Sequence, residues 1–221
     1  MPYTAEHKAR TRARIVMAAR QLFNRHGFEG VSIDQIMARA RLTRGGFYNH
    51  FASKDALYAE AVHSFATCSP FAIRLARSGR PMPAPRRLAR MLVELYLSDE
   101  ILDDIDQQCP LYALPSDVAR AGLKPQRAYT ELIRSMSAVY RNAIPAGAAD
   151  AEHRVQLIVT LCVGGMVLAR TTSDPELRRS LRANARSQAL ALLDGVAAAR
   201  SAVADSRPRS RARPASPPRA S

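Results

Sequence analysis

Residues 27–57 read GFEGVSIDQIMARARLTRGGFYNHFASKDAL, and the folding of this stretch decides the organisation of the rest. Ser32 is an N-cap by residue type, with apolar Val31 before it. Gln35, three residues on, completes a capping box that satisfies two otherwise orphan amides. Ile33, Ile36, Met37 and Ala40 then recur at helical spacing, so this short helix buries one face. Leu42 fills a turn, and Thr43 is placed to cap a second short helix, Arg44 to Phe51. Gly45 and Gly46 in its first turn each cost up to about 1 kcal/mol against alanine. That cost is tolerable where the backbone must closely approach a partner, such as a phosphate at a helix N-terminus. Phe47 and Phe51, four apart, point inward. Arg44, Tyr48, Asn49 and His50 are left outside, with the groups used on base edges and phosphates. Ser53 caps the next helix, and Lys54 is placed to reach backbone phosphate. A plainer reading, in which Tyr48 and His50 pack against helix one and the rest is a solvated face, stays open on spacing alone.

The run VSIDQIMARARLTRGGFYNHFASKDAL resembles the DNA-binding domain of TetR-family transcriptional regulators (TetR/AcrR type). The family pattern has a small-residue turn, an aromatic-Tyr-x-His-Phe segment and then Ser-Lys-(Asp/Glu)-Ala-Leu. Here these are Phe47, Tyr48, Asn49, His50, Phe51, then Ser53, Lys54, Asp55, Ala56, Leu57. By position, the resemblance puts the family's DNA-contacting places on Ser32, Thr43, Arg44, Gly45, Gly46, Tyr48, Asn49, His50 and Lys54, and its core positions on Phe47 and Phe51. The resemblance covers roughly the first sixty residues.

Composition agrees. The chain has 221 residues, a formal net charge of +14 and a pI near 10.7, which suggests an anionic partner. Residues 1–60 hold ten Lys/Arg against five Asp/Glu, and residues 61–199 seventeen against thirteen. Residues 200–221 hold six against one, so the charge is concentrated at the two ends. No run of 18 or more apolar residues is present, and MPYTAEHKARTRAR has no apolar core of a signal peptide; a cytoplasmic protein without a membrane span is expected. Cys68, Cys109 and Cys162 form neither a disulfide framework nor a metal-ligand spacing, which suits a reducing compartment and gives no metal site.

Helical patterns run along nearly the whole chain, predicting an all-α fold of about nine helices. Lys8 to His26 carries an apolar stripe of Ile15, Ala18, Ala19, Leu22 and Phe23, with Gly27 as its left-handed cap. Arg10, Arg12 and Arg14 near its start are either phosphate contacts or solvated surface. A helix from Lys54 toward Cys68 joins head to body, and Pro70 interrupts or kinks it. Arg86–Leu97 points Leu88, Met91, Leu92 and Leu95 inward. SDEILDDIDQQCP is an acidic helix or turn at the body's surface. Leu123–Ile144 faces an interior with Tyr129, Leu132, Ile133, Met136, Val139 and Tyr140. Ala151–Arg170 is more apolar than one buried face requires, and a last helix starts at Asp174 and Pro175 and runs to about Ala199. SRPRSRARPASPPRAS, at the C-terminus, has the composition of a disordered segment.

Three regions are therefore expected: a helix-turn-helix DNA-binding domain over 1–60, a helical effector-binding and dimerisation domain over 61–199, and a basic tail over 200–221. The over-apolar helices Ala151–Arg170 and Pro175–Ala199 need a second partner surface, and the same pair from another copy supplies it, giving a homodimer. The resemblance implies the same pairing, a palindromic double-stranded operator, and a small-molecule pocket among the body helices, for which Leu92, Tyr96, Tyr112, Tyr129, Ile133, Met136 and Met166 are candidates. No nucleotide-cradling loop, nucleophile elbow or histidine cluster supports an enzyme or a cofactor. The expected function is a repressor released from its operator by an effector. Two alternatives are a redox or electrophile response through Cys109, and a nonspecific architectural DNA-binding protein.

Overall fold

The computed structural model describes residues 5–79 and 81–195. The expected basic tail lies outside them. Among the described residues eleven α-helices and two 3₁₀ turns account for the regular structure, without a strand. Helix α1, Ala5–His26, buries Ile15, Ala18, Ala19 and Phe23. It ends at Gly27, whose φ of +71° is the left-handed cap conformation and whose N–H bonds the Phe23 carbonyl at 2.8 Å. Helix α2, Ile33–Arg39, opens on the capping box: Ser32 Oγ accepts from the Gln35 N–H at 3.1 Å, and Gln35 Oε1 accepts from the Ser32 N–H at 2.7 Å. After the turn comes not an α-helix to Phe51 but a 3₁₀ turn, Arg44–Asn49, and Thr43 makes no side-chain cap bond. Two adjacent glycines at the start of a six-residue segment explain this, since they supply little local drive to continue an α-helix.

Helix α3, Lys54–Cys68, is capped by Ser53 and runs unbroken past the expected domain boundary at residue 60. Ser69 ends it in an extended conformation and caps α4, Pro70–Arg77, with proline at the first turn. Helix α5, Pro85–Tyr96, buries Ala89, Val93 and Tyr96, and Leu88, Leu92, Leu95 and Tyr96 line a cavity. The acidic segment divides further than expected: α6, Asp99–Asp103, a 3₁₀ turn Ile105–Gln107, α7, Pro110–Ala113, and α8, Pro115–Arg120. Prolines at 110 and 115 each start a new short helix and raise the count above nine.

Nor is that segment merely surface. Ile101, Leu102, Gln108 and Cys109 are buried, and α1 packs against the 3₁₀ turn. Asn24 Nδ2 donates to the Gln108 carbonyl at 2.9 Å, and Asp106 accepts from Arg25 at 2.5 Å and from Arg39 at 3.2 Å. Asp106 and the Gln108 carbonyl thus tie the N-terminal head to the body.

Helix α9, Leu123–Arg141, buries Leu132, Met136 and Tyr140 and packs along α3. Helices α10, Ala151–Thr171, and α11, Pro175–Asp194, form the most extensive helix pair. The last helix stops at Asp194, before the expected Ala199, because Gly195 takes a left-handed φ of +75°. By length and composition α10 is apolar enough to cross a membrane, although its apolar run is interrupted. It packs on α9 and α11, and its Arg154 and Arg170 donate to the Leu192 and Ala113 carbonyls, each at 2.8 Å.

Candidate functional site

The head presents one face built from α2, the 3₁₀ turn and the start of α3. Phe47 and Phe51 are buried at its base, their ring centroids 5.8 Å apart. Tyr48, edge-on to Phe47 at 5.2 Å, projects outward and is 64% exposed. Thr43, Arg44, Gly45 and Asn49 are exposed beside it, as is Ser32 at the head of α2. Arg44 pairs with Asp34 at 2.7 Å, a bond between two open side chains that is weak in water.

The glycines mark the backbone's open side. A Cβ at Gly45 would meet nothing within 4 Å, and one at Gly46 only Met37 Cε at 3.7 Å. Internal packing therefore does not require glycine at Gly45.

Four basic or polar side chains are held by contacts within the head. His50 is half-buried, with Nδ1 enclosed and unpartnered; burial, then the charges of Lys8 and Arg12, hold its pKa below the ordinary value. Lys54 is half-buried with Nζ 4.2 Å from the Phe28 ring centre, a cation–π contact. Arg12 is bound to Glu60 and to the His50 carbonyl and lies 4.1 Å over the Phe51 ring, and Arg14 donates to the Ala40 carbonyl at 2.5 Å. Arg12 fastens α1 to the end of the 3₁₀ turn and to α3, and Arg14 fastens it to the end of α2, roles that charge alone did not reveal. The turn between α2 and the 3₁₀ segment also places Arg41 at φ +55°, a conformation that residue type gives no hint of.

Behind the head a cavity of about 420 Å³ lies between α4, α5, α9 and the end of α3. Of the seven residues expected to line a pocket, Leu92, Tyr96 and Met136 do so. Tyr112 is buried beside it, edge-on to Tyr96 with centroids 5.5 Å apart. Tyr129 is held away by its hydroxyl, which donates to the Leu111 carbonyl at 2.6 Å. Ile133 is on the outer side of α9, 37% exposed, and Met166 is fully enclosed in the α10 core. The wall that sequence reading missed is α4, whose Phe71, Ala72 and Leu75 face the space. A short amphipathic helix after a proline break gives no signal of what it faces.

Cys109 lines the cavity but is 2% exposed, and burial pushes its thiol pKa up to about 12. Cys162 is buried with its thiol likewise pushed up to about 12, while Cys68 is exposed. No group of three or more His, Cys, Asp or Glu able to hold a metal occurs among the described residues.

A capped short helix, a glycine-opened turn and a polar outer face on a helical body make up a helix-turn-helix arrangement. Residues 15–61 match the family described as bacterial regulatory proteins, tetR family, so the head of this chain is similar to the members of that family. The A-factor receptor protein of Streptomyces griseus is 37% identical over 68 residues, 31% of this chain and 23% of that protein. The HTH-type transcriptional repressor DhaR of Mycobacterium sp. (strain GP1) is 33% identical over 77 residues, 35% of this chain and 39% of the relative. The chain thus matches well under half the length of these curated relatives. Among solved structures, the reduced form of Escherichia coli NemR superposes with a TM-score of 0.63 at 18% identity, covering 80% of this chain and 96% of that one. That likeness shows the fold.

Proposed function

We propose that the protein is a homodimeric repressor that reads a palindromic DNA operator with residues 43–50 of each copy and leaves it when a small molecule occupies the cavity behind the head. The observation that carries the reading is the opposite orientation of Phe47 and Tyr48: the 3₁₀ turn is anchored by buried phenylalanines and offers Tyr48, Asn49, Arg44 and an unobstructed Gly45 backbone to a partner. Ser32, Gly46 and His50 flank that face, and Lys54 reaches phosphate once it gives up its contact with Phe28. The repressor DhaR is among the similar proteins, which favours repression over activation.

A redox response through Cys109 has less behind it. The nucleophile is the thiolate, and burial keeps this cysteine as a thiol. An architectural role does not account for the cavity.

The test is a salt-dependent titration of a labelled duplex. Arg44→Glu lowers affinity by about tenfold or more at moderate salt, since it both removes and reverses a charge at the interface. Its melting temperature stays near that of the wild type, because the Arg44–Asp34 pair is exposed. Unchanged affinity in a folded variant would contradict the assignment.

A further inference from the structure

We propose that the cavity takes an uncharged, largely apolar small molecule carrying one hydrogen-bond acceptor, and that the Tyr96 hydroxyl donates to that acceptor. The proposal rests on reading the cavity as the effector site and specifies which chemistry fits it.

Charge is the first criterion. Among the described residues no Asp, Glu, Lys, Arg or His lines the cavity, and Cys109 in its wall is a neutral thiol. A charged ligand entering such a space loses its hydration and gains no counter-ion. A cation close behind the wall is Arg20, itself 1% exposed. Its Nη1 donates to the Cys68 carbonyl at 3.0 Å and its Nη2 to Met17 Sδ at 3.3 Å, its Nε is buried without a partner, and the guanidinium lies 5.3 Å from the centre of the Phe65 ring. Phe65 lines the cavity and Arg20 does not, so an anion inside would not reach it.

The apolar surface is the second. None of α4's residues is buried, although its Phe71, Ala72 and Leu75 all face the cavity. An apolar occupant would cover that face and complete a core that this chain leaves unfilled. A polar or water-filled space would leave α4 without an apolar partner.

Tyr96 is the third. It is 7% exposed and lines the cavity, and its hydroxyl has no partner other than the Cys109 thiol. A thiol is a weak partner. A buried hydroxyl without a strong partner is costly, and an acceptor on the ligand removes that cost. Burial keeps the phenol protonated, so it is the donor.

Calorimetric titration of the full chain with 2-octanone, octanoate, octylamine and p-xylene separates the possibilities. The ketone binds at least tenfold more tightly than either ion of the same chain length. Tyr96→Phe, which keeps the ring packed on Tyr112, weakens the ketone by about tenfold and leaves p-xylene, which has no acceptor, unchanged. Val139→Trp, which fills the cavity from α9, abolishes binding of both at an unchanged melting temperature. Octanoate or octylamine binding as tightly as the ketone would overturn the charge argument while leaving the cavity a ligand site. An equal effect of Tyr96→Phe on ketone and xylene would overturn the hydrogen bond. If no probe binds, or if Val139→Trp folds and binds as before, the effector-site reading itself fails.

Discussion

Phe47 and Tyr48 are adjacent and have opposite roles, which is the clearest lesson at the scale of single residues. Truncating the buried one, Phe47→Ala, removes a ring from the small head core and costs about 3–5 kcal/mol, enough to unfold the head; loss of helical signal on heating at a lower temperature reads this out. Asn49→Ala, on the exposed face, leaves the melting curve in place and changes base preference only. The cysteines divide the same way. Exposed Cys68 reacts first with a thiol reagent at pH 8, and buried Cys109 and Cys162 react only as the chain unfolds; rapid labelling of Cys109 in the folded protein would revive the sensor reading. Because both buried thiols have pKa values raised from 9.0 to about 12 in the fold, their contribution is complete below about pH 9. It is lost as pH rises from there toward 12, while the unfolded chain ionises. A melting temperature that falls across that range in wild type, and less in Cys162→Ala relative to its own value at pH 8, is the expected result.

Among elements, α10 shows how far periodicity can be read and where it stops. An over-apolar helix with a Gly-Gly pair is plain in the sequence, but which glycine faces which neighbour depends on a 100° rotation that only packing fixes. A Cβ at Gly165 would stand 2.8 Å from Ala185 Cβ on α11 of the same chain, whereas one at Gly164 would meet nothing within 4 Å. Leu157 and Leu168 are exposed along the side that Gly164 shares. Gly165→Leu therefore damages the α10–α11 pair within one protomer, by about 1–3 kcal/mol or more of overpacking. Gly164→Arg leaves the protomer folded and prevents self-association by placing charge on an apolar face. Sedimentation distinguishes them: a folded monomer is expected for the Gly164 variant, and a tight dimer would remove α10 from the interface.

The capping box, the left-handed Gly27 and the Ser69–Pro70 break were legible because each is set by local chemistry. Other features were not, since they arise from contacts distant in sequence: Asp106 joining Arg25 and Arg39, and Arg12 holding Glu60. The cavity was half legible for a related reason. Leu92, Tyr96 and Met136 lie on the apolar stripes of long helices, but the same stripes also carry Ile133, which turns outward, and Tyr129, which is diverted by a hydrogen bond.

For the whole molecule, the head, the cavity and the α10–α11 surface form a single proposal only if two copies act together on DNA. The net charge of +14 ensures attraction to any duplex, so affinity alone does not decide the matter, and sequence selection does. The decisive measurement is repeated selection by the purified full chain from a random duplex pool at moderate salt. The account predicts an inverted repeat whose half-site centres lie about 34–36 Å apart, or a multiple of that, on the DNA axis, with preference weakened at defined positions by Asn49→Ala. Recovery of no consensus, or of a single unpaired site bound by one copy, would contradict it.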